Sequence, residues 1–288
     1  MPGAPAGPLV DVAWLAAHAG DAGVRVVDCR WYLGEKRGAD AYAAGHLPGA
    51  VFVDLDTDLS GPKERGPGRH PLPSVDAFAD VLARIGVGPE TIVVAYDDAG
   101  GAIAARLWWM LRWVGHAGGR VLDGGVKAWV AAGHALSRDT PAVAPAPRMS
   151  LTGGHAPVVD KVAVDRLRRD PSARVLDARA AERYEGRVEP VDARPGHVPG
   201  ARSLPFAGNL DEGGRMLPRD ALRARYADAG ALDATTVVAY CGSGVTACHD
   251  VLALAIAGRD DAALYEGSWS DWSRDAALPA ATGPEPGG

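Results

Sequence analysis

The chain has 288 residues, a length that suggests about two domains, and a hydrophobic share of 47% supplies enough apolar surface for a core in each. Lys and Arg number 30 against 36 Asp and Glu, and the resulting charge of −6 argues against nucleic acid or an anionic membrane surface as the main partner. Three cysteines (Cys29, Cys241 and Cys248) contain no Cys-x-x-Cys pair, which excludes a disulfide framework and fits a reducing compartment.

In chain order, Met1 to Pro8 reads as a frayed tail rich in Gly and Pro. No basic residue precedes Arg25, so the charged start of a secretory signal is missing. A strand is expected over Val24–Asp28, a helix over Asp76–Ile85, a strand over Thr91–Tyr96 and a helix over Ile103–Val114. Arg106 and Arg112 interrupt that last, most hydrophobic helix, and no apolar run approaches the ~18 residues of a membrane span. Arg138 to Pro157, with Pro141, Pro145, Pro147 and Gly153-Gly154, reads as a surface linker. Beyond it come a strand over Arg174–Asp177, a helix over Asp220–Ala229, a strand over Thr235–Tyr240, a helix over Thr246–Ala257, and a second tail from Pro279. Short β-branched runs alternating with helices predict α/β domains with mostly parallel sheets covered on both faces. The expectation is a soluble, cytoplasmic protein.

The two halves repeat. Val26-Val27-Asp28-Cys29-Arg30 matches Val175-Leu176-Asp177-Ala178-Arg179, and Gly45-His46-Leu47-Pro48-Gly49-Ala50 matches Gly196-His197-Val198-Pro199-Gly200-Ala201. Ile92–Tyr96 matches Thr236–Tyr240, and Leu122-Asp123-Gly124 with Trp129 matches Tyr265-Glu266-Gly267 with Trp272. Four blocks in one order at nearly constant offset imply two related domains, over residues 8–138 and 158–280, joined by a linker over 139–157.

In parallel sheets, sites form where strand ends meet helix starts. Cys241-Gly242-Ser243-Gly244-Val245-Thr246 follows such a strand and opens a helix. Gly242 and Gly244 let the loop curl so that successive N–H groups converge, and the helix N-terminus adds a positive pole. A cysteine held there is expected to favour its thiolate, the form that acts as a nucleophile. The matching loop of the first half, Asp97-Asp98-Ala99-Gly100-Gly101, has Asp97 at the cysteine position. One working and one inactive domain follow. The bland alternative is a buried structural cysteine beside a glycine turn.

These features resemble the tandem-domain rhodanese family of sulfurtransferases over about residues 9–278. The marks are Asp28 and Asp177, both His-x-Pro-Gly-Ala turns, Trp108 to Arg112, Gly267-Ser268-Trp269 and the Cys241–Ala247 loop. That loop is similar to the one in 3-mercaptopyruvate sulfurtransferases; thiosulfate-preferring members carry Arg and Lys after the cysteine, where this chain has neutral Gly242 and Ser243. The resemblance implies an enzyme that moves a sulfane sulfur through a Cys241 persulfide. Its donor is a small anion, 3-mercaptopyruvate favoured over thiosulfate, and its acceptor is thioredoxin, a small thiol or cyanide. It implies no cofactor and no metal, with the oligomeric state open and a monomer sufficient. By motif it assigns proton handling to Ser243 with His70 and Asp56, the latter two from the first domain. Donor binding falls to Arg183 and to the loop residues Gly242, Gly244, Val245 and Thr246. A second family arginine has Val191 at its place, so that either Arg194 or Arg187 stands in or the contact is absent. His46, His197, Asp28 and Asp177 recur in both halves and are expected to order turns and loops; Cys29 and Cys248 are expected to be packed, and Trp269 to wall the pocket. Two other readings share the scaffold. A Cys-x5-Arg phosphatase or arsenate reductase would need arginine where Ala247 stands. A sulfur-relay module without turnover would not need the intact nucleophile loop.

Overall fold

The computed structural model describes residues 6–64 and 66–287, so residues 1–5 of the expected first tail lie outside the described residues. Two compact units appear. One comprises residues up to Ser60, Pro73–Ala156 and Glu212–Met216, and the other Gly61–Leu72, Pro157–Asp211 and the chain from Leu217 onward.

The first unit carries strands β1 (Leu9–Val10), β2 (Val24–Asp28), β3 (Val51–Phe52), β4 (Ile92–Tyr96) and β5 (Gly119–Leu122), all parallel, in the order β1-β5-β4-β2-β3. Helices α1 (Val12–His18), α2 (Gly38–Ala44), α3 (Val75–Arg84), α4 (Ala104–Trp113) and α5 (Gly125–Ala131) flank it. The second unit repeats the plan with β6 (Val158–Val159), β7 (Ala173–Asp177), β8 (Arg202–Ser203), β9 (Thr236–Tyr240) and β10 (Ala263–Tyr265), parallel and ordered β6-β10-β9-β7-β8. Its helices are α6 (Lys161–Leu167), α7 (Ala181–Tyr184), α8 (Arg219–Asp228), α9 (Ala247–Ala257) and α10 (Ser268–Trp272).

The registers show the repeat directly: Asp28 pairs with Tyr96 as Asp177 pairs with Tyr240. Central β4 is buried along its whole length, which is why Ile92-Val93-Val94-Ala95-Tyr96 reads as a continuous apolar run with no alternation. Helices α4 and α9 are likewise buried on nearly every face. By contrast α3 is amphipathic, burying Phe78, Ala79 and Leu82, and Ser74 caps its start by accepting from the Ala77 N–H at 3.1 Å. Each large aliphatic side chain in these cores contributes about 1.5–3 kcal/mol.

A polar cassette recurs at the strand ends. Asp28 accepts from the Arg30 guanidinium at 2.6 Å and from the Tyr96 hydroxyl at 2.6 Å, and Arg30 donates onward to the Gly45 carbonyl at 2.8 Å. Asp177 accepts from Arg179 at 2.6 Å, and Arg179 donates to the Gly196 carbonyl at 2.7 Å. His197 stacks on Tyr184 with its ring nitrogens 2.8 Å from the Tyr184 carbonyl and 3.0 Å from that of Pro286. His46 makes the equivalent contacts with Tyr42 and Asp139. These histidines are structural clasps.

Two expectations need correcting. The described residues after Pro279 are not frayed: Ala281 pairs with His197, and the Pro286 carbonyl accepts from the Gly200 N–H at 2.8 Å. Nor do the units follow a single cut in the chain, because residues 61–72, His70 among them, belong to the second unit although they lie within the first sequence repeat. The expected linker forms no helix or strand over 138–157 and runs to Ala156 on the first unit, where Arg148 bonds Asp76 at 2.6 Å.

Candidate active site

Strand β9 ends at Tyr240 and hands the chain to a loop of six residues before α9. Cys241 is 2% exposed, and the Gly244 N–H points at its Sγ from 3.2 Å. Gly244 has φ +81°, and a Cβ there would meet the Glu266 carbonyl oxygen at 2.3 Å, so two independent constraints require glycine. Val245 is buried, and Thr246 stands at the N-cap of α9.

The turn Gly267–Ser270 holds this loop in place. The Trp269 N–H donates to the Cys241 carbonyl at 2.9 Å, and the Ser270 N–H to that of Gly242 at 2.9 Å. Ser268 has φ +54° and is the one non-glycine residue with positive φ among the described residues. Its Oγ accepts from the Cys241 N–H at 3.1 Å and donates to the Tyr265 carbonyl at 2.9 Å, which offsets the backbone strain. The first repeat has Gly125 at this turn, also at positive φ, so the change from glycine to serine was a readable signal that sequence reasoning missed.

Arg69 and Leu72 are tied to this turn and to the residue before it. The Arg69 N–H donates to Ser270 Oγ at 3.1 Å, and the Leu72 N–H to the Glu266 carboxylate at 2.9 Å. This anchoring brings His70 Nδ1 to 2.8 Å from Ser243 Oγ, with both residues buried, at 5% and 8% exposure. Asp56 belongs to the first unit, where its carboxylate accepts the Trp31 indole N–H at 2.8 Å.

Arg183, on α7, donates to Glu189 at 2.7 Å and to Asp192 at 3.1 Å. Asp192 also pairs with Arg69, which the sequence reading did not single out. Burial pushes the Asp192 carboxyl up. Burial also opposes the charge on Glu189, but hydrogen bonds from Arg183 and from the N–H groups of Asp192 and Val191 hold that carboxyl below its ordinary range. A side chain at Gly242 would meet Arg69 Nη2 at 3.0 Å and Arg183 Nη1 at 3.4 Å, so both guanidiniums lie beside the residue after the cysteine.

Neither proposed stand-in arginine joins them. Arg194 donates to the carbonyls of Trp272, Ser273, Asp275 and Leu278, so its guanidinium braces that segment instead of facing a donor. Arg187 is mostly exposed and paired with Glu185. Trp269 is fully buried in the second core, not a pocket wall. Cys248 donates to the Gly244 carbonyl at 3.4 Å, and burial raises the Cys29 thiol well above its ordinary value. Among the described residues no His, Cys, Asp and Glu cluster could hold a metal ion.

The first unit shows the corresponding loop filled from within. Asp97 is fully buried and accepts from the N–H groups of Ala99 at 2.9 Å, Gly101 at 2.8 Å, Ile103 at 2.7 Å and Ala104 at 2.9 Å. Converging N–H groups at the mouth of a helix thus hold a carboxylate.

The second unit thus places a buried thiol at the end of a central parallel strand, in a glycine loop that opens a helix. A family model described as the Rhodanese-like domain matches residues 11–132 and 161–275, and the chain belongs to that family. It is 42% identical over 284 residues to a Pseudomonas aeruginosa protein named "Probable 3-mercaptopyruvate sulfurtransferase", covering 96% of this chain and 98% of the relative. Identity is also 42%, over 285 residues, to a Mycobacterium tuberculosis protein named "Putative thiosulfate sulfurtransferase SseB", with 96% and 97% coverage. The solved 3-mercaptopyruvate sulfurtransferase from Leishmania major superposes with a TM-score of 0.82 at 34% identity, over 95% of this chain and 76% of that one.

Proposed function

We propose that this protein is a sulfurtransferase that takes a sulfane sulfur from a small anionic donor, 3-mercaptopyruvate in preference to thiosulfate, and passes it to a thiol or cyanide through a persulfide on Cys241. The observation that carries the preference is the 2.8 Å approach of His70 Nδ1 to Ser243 Oγ, two residues from the nucleophile. With mercaptopyruvate, the Cys241 thiolate attacks the donor sulfur. An S–S bond forms, the donor C–S bond breaks, and its electron pair leaves as the pyruvate enolate. That enolate needs a proton at carbon; Ser243 Oγ delivers it and recovers one from His70. The Gly244 N–H beside Sγ supports the charge that moves there. The family pattern gives Asp56 the third place in this relay. A thiol or cyanide then attacks the outer sulfur and restores Cys241. The scheme uses no metal or organic cofactor.

Thioredoxin or a small cellular thiol in the cytoplasm fits the acceptor role, and one chain suffices for the cycle. Among the described residues no helix is long and apolar enough to cross a membrane. Thiosulfate as the main donor is the second reading, favoured by the two guanidiniums beside Gly242.

Steady-state turnover with each donor, cyanide as acceptor and Cys241→Ser as control, decides between them. The expected result is a higher kcat/KM for mercaptopyruvate that vanishes in Cys241→Ser. A higher value for thiosulfate would reverse the donor assignment. Equal turnover in Cys241→Ser would remove the persulfide scheme.

A further inference from the structure

Val191 stands where the family resemblance places a second anion-binding arginine, and the structure brings a guanidinium to the site from another segment. Arg69 is fixed at its backbone by Ser270 Oγ, and its Nη1 pairs with Asp192. The same carboxylate accepts from Arg183 Nη2 at 3.1 Å, so a single aspartate, 3% exposed, holds the two guanidiniums side by side. The nitrogens nearest the nucleophile loop, Arg69 Nη2 and Arg183 Nη1, are the ones a side chain at Gly242 would meet. Neither has an acceptor among the described residues, and Arg183 Nε is buried without one. Both side chains keep about a fifth of their surface open, at 23% and 21%, so a solute can reach them. Two guanidiniums with unfilled N–H groups, held in place by a buried carboxylate, are what a small anion requires.

We infer that Arg69 is a donor-binding residue: with Arg183 it forms a two-guanidinium seat beside Gly242 for the anionic end of the sulfur donor, in place of the arginine absent at Val191. The neutral loop and Arg69 belong together, because an arginine at position 242 would compete with the Arg69 guanidinium for the same space. The inference rests on the sulfur-transfer reading for its substrate and on the geometry for its anion.

Two readouts test it. The first is KM and kcat for 3-mercaptopyruvate in Arg69→Ala, Arg69→Lys and the double variant Arg69→Ala/Val191→Arg. The second, which needs no turnover, is the pyruvate concentration that halves alkylation of Cys241 by neutral iodoacetamide. Arg69→Ala is expected to raise both KM and the protecting concentration at least about tenfold, with kcat within about threefold. Arg69→Lys, which keeps charge but loses the fork, falls between. Val191→Arg restores part of the loss. An unchanged KM and protecting concentration in Arg69→Ala would overturn the assignment. So would a fall in kcat at constant KM, because that pattern marks a residue that only positions His70. Arg69-dependent protection in a protein without Cys241-dependent turnover would keep the anion seat and reject sulfur transfer.

Discussion

Ser243 and His70 are 173 positions apart in the chain, and their 2.8 Å approach is built by hydrogen bonds to side chains and backbone around Glu266 and Ser270. If they act as one proton relay, Ser243→Ala and His70→Ala each lower kcat for mercaptopyruvate by about 10²–10⁴, and the double variant falls little further. Thiosulfate releases sulfite, which needs no proton at carbon, so its kcat moves far less in the same variants. Steady-state kinetics on the three proteins checks this; additive losses, or equal losses with both donors, would contradict the relay. The cysteine and its loop could be read from residue types and spacing, and Arg183 came from the family resemblance. Arg69 could not be assigned that way, because its role depends on what the fold brings beside Gly242, whereas Ser268 left a trace in the glycine-to-serine change between the repeats.

Elements show the same contrast between buried and edge positions. Val24–Asp28 is the strand expected from its residues, and the expected helices over 76–85 and 220–229 lie within a residue of α3 and α8. The edge strands β1, β3, β6 and β8 have two residues each, too few to show any periodicity, and they were not anticipated. Two elements lead to stability predictions. The loop before α4 depends on Asp97 as acceptor for four N–H groups. Asp97→Ala leaves these donors unfilled and is expected to cost at least about 3 kcal/mol in denaturant unfolding, with Asp97→Asn milder. In the first turn of α9, burial pushes the Asp250 carboxyl up to about 7. Asn209 donates to its Oδ1 at 2.7 Å, Arg225 and Tyr226 reach Asn209 Oδ1, and Oδ2 has no partner among the described residues. Unfolded aspartate ionises near ~3.9. The folded state therefore keeps a proton that the unfolded chain has lost, and this contribution is complete below about pH 4 and disappears as pH rises through about 7. The Tm advantage of wild type over Asp250→Asn should shrink by a few °C between pH 5 and pH 8. A constant difference would place the proton elsewhere.

At the scale of the whole molecule, duplication explains both the legibility of the fold and the division of labour. Internal repetition made the two α/β units visible in the sequence, and both sheets have the same strand order. The placement of residues 61–72 was not visible, since position in the chain says nothing about which sheet a loop packs on. One unit fills its loop with its own Asp97 carboxylate, and the other presents Cys241 in the matching place. The central claim is that sulfur passes through that one thiol. Peptide mass spectrometry after a single addition of 3-mercaptopyruvate without acceptor tests it most directly. The account predicts one added sulfur atom on the Cys241 peptide, none on the peptides of Cys29 and Cys248, and loss of the added mass when cyanide is supplied. Sulfur on another cysteine, or no added sulfur in a protein that still turns over, would contradict it.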